Sequence, residues 1–326
     1  MEEVFIRGLL VLTIIVMLLL NIYCLYGIIK SKPLQPSTWG IANLLCCHLI
    51  QGIVVVPSYL LKRLKFQDKD ISGPVCDVFR FSYMTMNYAS CISLLLISAD
   101  RMYAIRKPLS YRSNMTSRKM AGCILASWVY TILLCLIPFI HLSSRNSEGC
   151  TYVPQKQWTI IMLVCNTLLP FLLIIYCYYH IFIAARRSFR LRAALCLEKA
   201  VRAHQLKVAK VSAAVAFGYA ICWGPSFVYY SLYALCPKCM ASLVNSGSVT
   251  FAMKYLTFLN GIINPILYCI NNGSLMKLAK GFIFFRVLRW LNIRLRLCFV
   301  KHRTARHSAE VAVVSRTPPP ATISQL

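Results

Sequence analysis

The stretch Leu94-Leu95-Leu96-Ile97-Ser98-Ala99-Asp100-Arg101-Met102 says most about this chain. An apolar run closes on a carboxylate beside a guanidinium, the pairing expected where a helix leaves a hydrocarbon core and meets water. From Cys76 to Arg101 the chain advances 25 residues, or ~37 Å as a helix. That is enough to cross a ~30 Å core with some tilt. Six other stretches have the same length and character, so the spans are read as 8–29, 39–61, 77–101, 119–141, 157–183, 208–234 and 247–271. The expected fold is all-α, a bundle of seven transmembrane helices.

Composition agrees. Hydrophobic residues make up 58% of the 326 and charged residues 14%, a balance foreign to a soluble domain of this size. The net charge of +27 would suit a nucleic-acid binder, but its placement excludes that. Residues 30–38, 101–119, 184–210 and 272–326 hold 26 of the 36 lysines and arginines. Positive charge resists translocation, so these segments are expected in the cytoplasm and the N-terminus outside. The basic segments then face anionic lipid rather than nucleic acid. Residues 1–7 are expected as a short extracellular N-terminus and 8–271 as the membrane domain. Residues 272–286 are expected as an amphipathic interfacial helix, with Leu275, Leu278, Ala279, Phe282 and Ile283 on one face. A basic, disordered tail is expected over 287–326. The first stretch is not read as a signal peptide, because an acidic Met1-Glu2-Glu3 precedes it and Lys30 and Lys32 follow it. The sequons at Asn114 and Asn272 fall on the cytoplasmic side, where no glycan is expected.

Most of the 16 cysteines lie inside apolar stretches and read as small buried hydrophobes. Cys76 and Cys150 both face the oxidising side, where a bridge would pin the following loop over the helix mouth. Cys236-Pro237-Lys238-Cys239 in the last outer loop offers too few ligands for zinc, and a local disulfide is expected there.

Trp128 in the fourth stretch, Cys222-Trp223-Gly224-Pro225 in the sixth and Asn264-Pro265-Ile266-Leu267-Tyr268 in the seventh follow Asp100-Arg101 in order. Together these landmarks resemble the rhodopsin-like (class A) G-protein-coupled receptor family, over about 4–290 of the chain. The resemblance implies that Asp100 holds Arg101 at rest and that Arg101 contacts a heterotrimeric G protein on activation. It implies that Trp223 is a toggle beneath the ligand and that Pro225 is a hinge. Pro170 bends the fifth span, and Tyr178 and Tyr268 meet near Arg101 in the active form. Asn264-Pro265 loosens the seventh helix. The mechanism is a population shift toward a conformer with the sixth helix swung outward. Arrestin and a receptor kinase are the further partners the resemblance implies. No cofactor, metal or catalytic residue is expected, since an intramembrane enzyme would need paired acids or a Ser/His dyad at membrane depth.

Several positions depart from the family pattern. Met102 replaces a tyrosine, and Gln205 replaces the acid that would lock Arg101, so raised basal activity is expected. Tyr219 and Cys91 occupy switch positions usually filled differently. His48 stands where the family places a sodium-binding Asp, beside Ser90, Asn260 and Asn264. An imidazole brings no negative charge, so the sodium site is expected to be lost, with a neutral ring bonded to Asn264 or Ser90. Tyr83 replaces the Asp of amine receptors and Phe258 the retinal-bearing Lys of opsins. By family position the ligand meets Arg80, Tyr83, Met84, Asn87, Asn166, Trp223, Phe227, Tyr230, Phe251, Lys254 and Tyr255. Aromatics with few polar groups suit a small or lipid-like molecule. Arg80 and Lys254 could hold an acid, with Asp77 and Glu148 near enough to neutralise them. A signalling-impaired decoy, scavenger or structural receptor is the alternative, because His48, Met102 and Tyr219 alter several switches at once.

Overall fold

The computed structural model describes residues 2–30, 36–64, 69–141, 156–190 and 196–271. The chain divides into two units, Met1–Cys269 and Ile270–Leu326. The expected amphipathic helix, the tail, Cys150 and Glu148 lie outside the described residues, as does the side chain of Gln205.

Every described span is helical. α1 (Glu2–Lys30) forms the first. α2 (Pro36–Ile50), a π turn (Gln51–Val55) and α3 (Val56–Arg63) together form the second. α4 (Lys69–Arg106) is the third, and α5 (Pro108–Asn114) leads into the fourth, α6 (Ser117–His141). α7 (Lys156–Leu163), a second π turn (Val164–Leu168) and α8 (Leu169–Arg190) form the fifth. α9 (Cys196–Leu235) is the sixth. α10 (Pro237–Asn245) precedes the seventh, α11 (Gly247–Asn271). Six of the described helical stretches are long and apolar enough to cross a membrane. The seventh, 25 residues long, carries Lys254, Asn260 and Asn264 within its span. The fold is an all-α seven-transmembrane bundle.

Two boundaries differ from expectation. α1 starts at Glu2, so the helix of the first span already includes residues 2–7. α4 runs on to Arg106, which places Asp100 and Arg101 more than a turn inside the helix. The charges that seemed to close the run are instead absorbed by neighbouring structure, as shown below.

The two π turns share a cause. Each lies just before a proline, Pro57 or Pro170, whose missing N–H leaves a carbonyl unpaired one turn back. The chain widens there: Val56 N–H bonds Gln51 O, and Leu169 N–H bonds Val164 O, both across five residues. One extra residue enters each span, and the faces that follow shift accordingly.

Polar bonds between spans fix the bundle where apolar packing alone would let helices slide. Trp128 Nε1 donates to Asn43 Oδ1 at 2.8 Å, and Asn43 Nδ2 donates to Ser93 Oγ at 2.7 Å, joining the fourth, second and third spans. Asn21 Nδ2 donates to Gly261 O at 2.8 Å, joining the first to the seventh. Gly261 permits that approach, because a Cβ there would stand 2.8 Å from Met17 Cε. Ser226 Oγ donates to Met253 O at 2.6 Å, and Tyr229 and Thr250 hydroxyls lie 3.0 Å apart, joining the sixth to the seventh.

Candidate functional site

At one end of the bundle the third span carries a buried charge network. Arg101 Nε donates to Asp100 Oδ2 at 2.9 Å, and its Nη2 reaches the same oxygen. Both residues are only 3% exposed. α5 supplies the group that makes this burial tolerable. Tyr111 OH donates to Asp100 Oδ1 at 2.8 Å and accepts from Arg101 Nη2 at 3.3 Å. Burial and the adjacent Asp100 carboxylate push the Tyr111 phenol up, so it keeps its proton and donates. Tyr178 faces Ser98 and Ser212 close to Arg101. Tyr268 is half-buried near the end of α11. Sequence reasoning missed Tyr111, which sits in a seven-residue helix with no periodic pattern to single it out.

Midway, His48 is fully buried. Its Nε2 lies 3.1 Å from Asn264 Nδ2 and its Nδ1 3.4 Å from Gln51 Oε1. The Gln51 oxygen only accepts, so Nδ1 carries the proton and Nε2 accepts from the Asn264 amide. One neutral tautomer satisfies both contacts. Ser90 donates instead to Met86 O in its own helix, at 2.8 Å. A sodium ion needs oxygen donors and negative charge. An imidazole nitrogen facing an amide N–H does not fit it, whatever the carbonyl oxygens of Asn260 and Asn264 could add.

Above this layer Trp223 stacks with Tyr219 at 6.0 Å between ring centres and tilts against Tyr83 at 6.5 Å. The Tyr219 side chain lies beside the Cys91 thiol. Pro225 lies inside α9, beyond Trp223. Among the residues expected to meet the ligand, four buried polar atoms have no partner among the described residues: Asn87 Nδ2, Trp223 Nε1, Tyr230 OH and Asn166 Oδ1. Unpaired buried groups cost about 1–3 kcal/mol each, so each of these atoms is a candidate to hydrogen-bond a guest. Met84 and Phe227 are partly buried.

The two cations expected to act together are separated. Arg80 pairs with Asp77 at 3.7 Å and lies over Phe139 of the fourth span, 4.0 Å from its ring centre. Lys254 faces the other way, with Nζ 5.4 Å from the ring centres of both Tyr59 and Phe79. Its cationic neighbours are Lys62 and Arg63. Lys62 lies over Phe79 at 5.8 Å and Arg63 over Phe251 at 5.3 Å. Arg63 also takes Glu3 of the first span at 2.6 Å. Among the described residues no carboxylate pairs with Lys254. Tyr255 stacks on Phe251 at 5.4 Å, and its hydroxyl is 3.0 Å from Thr13 Oγ1. Tyr83 OH lies 3.2 Å from Thr257 Oγ1. Cation–π contacts stabilise by about 0.5–2 kcal/mol, against several kcal/mol to remove an ammonium from water. The rings therefore offset only part of the cost. Tyr59, Lys62 and Arg63 were missed in the sequence; the signal was basic residues at the mouth where positive charge is scarce.

Cys236 and Cys239 are joined by a disulfide at the start of α10. Cys76 is also disulfide-bonded.

Comparison with known proteins bears on the whole arrangement. Octopamine receptor beta-2R of Chilo suppressalis is 24% identical over 314 residues, covering 83% of this chain and 78% of that receptor. Adenosine receptor A2a of Canis lupus familiaris is 25% identical over 297 residues, covering 82% and 69%. Melanopsin of Mus musculus is 26% identical over 272 residues, covering 77% of this chain and about half (51%) of melanopsin. The family model described as 7 transmembrane receptor (rhodopsin family) matches residues 9–268. Seven helical spans, a buried Asp-Arg pair in the third and that match together place the chain in the rhodopsin family of seven-transmembrane receptors.

Proposed function

We propose that this receptor sits in the plasma membrane with its N-terminus outside, binds a small-molecule or lipid-like ligand from the extracellular side, and activates a heterotrimeric G protein. The observation that carries this reading is the Asp100–Arg101–Tyr111 network. A buried ion pair is costly to keep unless it is paired and hydrogen-bonded, and it changes state when one partner is withdrawn. Ligand contact at Trp223 and the other unpaired atoms favours rotation of α9 about Pro225, where the helix lacks one backbone bond. Movement of α9 away from Tyr178 and Arg101 frees the guanidinium for a cytoplasmic partner. Arrestin and a receptor kinase would meet the same opened face.

Neither a small amine nor retinal fits the residues present. Tyr83 spends its hydroxyl on Thr257 and carries no charge. Phe258 is fully buried and offers no amine for a Schiff base. On this reading the chain shares its frame with the octopamine receptors among its relatives and not their amine.

The test is nucleotide exchange on a co-expressed G protein. The native chain should raise exchange above empty membranes, and Arg101→Ala should return it to that baseline. Spin labels on the third and sixth spans should separate by several ångströms when the G protein is present. A fixed separation under every condition, with exchange at baseline, would favour a decoy that binds without signalling.

A further inference from the structure

We infer that the cleft between the second, third and seventh spans is a binding subsite for an organic anion: a carboxylate or phosphate head seated on Lys254, with an apolar body lying against aromatic rings. The inference rests on the receptor reading above and names the ligand class for it.

Charge and shape both lead there. Lys254 projects between Tyr59 and Phe79, and Lys62 and Arg63 stand near enough to repel it. Like charges this close raise the cost of keeping Lys254 charged unless an anion joins it. Glu3 answers Arg63 from the first span, and no carboxylate among the described residues answers Lys254. The surroundings select the rest of the molecule. Phe251 and Tyr255 are stacked and only partly buried, and the buried rings of Tyr59 and Phe79 back them: Tyr59 meets Phe79 at 5.0 Å and Phe251 at 6.5 Å. A strongly hydrated inorganic ion would gain nothing from such rings, whereas a flat or aliphatic body gains by its burial. Tyr83 spans from these rings to Trp223, so a body lying along it reaches the toggle and couples the head to the sixth span.

The full chain, purified into phosphatidylcholine nanodiscs, can be titrated with the fluorescent fatty acid cis-parinarate, subtracting empty discs. A saturable signal is expected in the native protein. It should weaken at least tenfold in Lys254→Gln and recover to within about threefold in Lys254→Arg, with thermal midpoints showing that both variants fold. Oleate or oleoyl lysophosphatidate should displace the probe, the stronger of the two identifying the head as carboxylate or phosphate, while neutral oleamide should not. No saturable signal, equal binding by Lys254→Gln, or equal displacement by oleamide would each overturn the subsite. G-protein exchange is measured separately. Binding without exchange leaves the subsite standing and removes the signalling account; exchange without acid binding does the reverse.

Discussion

Tyr111 shows how much one side chain outside the spans can hold. Its hydroxyl is the donor to the Asp100 oxygen that Arg101 leaves uncovered. Removing a hydrogen bond to a charged group costs about 1.5–3 kcal/mol. Tyr111→Phe should therefore loosen the resting pair and raise basal nucleotide exchange by roughly tenfold, the opposite of Arg101→Ala. Unchanged basal exchange would mean that the pair does not restrain the inactive form. His48 offers a second test. Basal exchange in the native receptor should be the same in sodium and choline chloride, while His48→Asp should make it fall as sodium rises. The identity of His48 was plain in the sequence, but its choice of Asn264 and Gln51 over Ser90 was not. That choice depends on Ser90 already donating to its own helix, which residue type alone does not reveal.

Helices were far more legible than their contacts. Length and hydropathy locate the spans closely, because a hydrocarbon core demands about 20 apolar residues whatever the packing. Helix ends were harder where charge is buried by a neighbour: α4 continues past Arg101 to Arg106 because α5 folds back with Tyr111. The clefts were read by counting from motifs, which found Lys254 but paired it with Arg80, and passed over Lys62 and Arg63. Counting cannot say that Arg80 turns onto Phe139. At this scale Pro225 is the feature to change. Pro225→Ala lets α9 recover a backbone bond and should reduce its G-protein-induced displacement by half or more, read as label separation. A displacement equal to the native one would place the hinge elsewhere.

For the molecule as a whole, a few polar bonds and close approaches hold seven helices in one arrangement. Gly261→Val would drive a side chain into Met17 and should cost about 1–3 kcal/mol, seen as a lower thermal midpoint in detergent. Asn43→Ala severs bonds to both Trp128 and Ser93 and should lower the midpoint by a comparable amount, leaving the fourth span the first to loosen.

The two π turns also bear on any comparison with other receptors. Beyond Val55 in the second span and Leu168 in the fifth, each residue holds the place that its predecessor would hold in an uninterrupted helix. A pharmacologist transferring a contact from a relative whose helix runs regularly through that point must offset the ruler by one, or Tyr59 and its basic neighbours will be matched to the wrong partners.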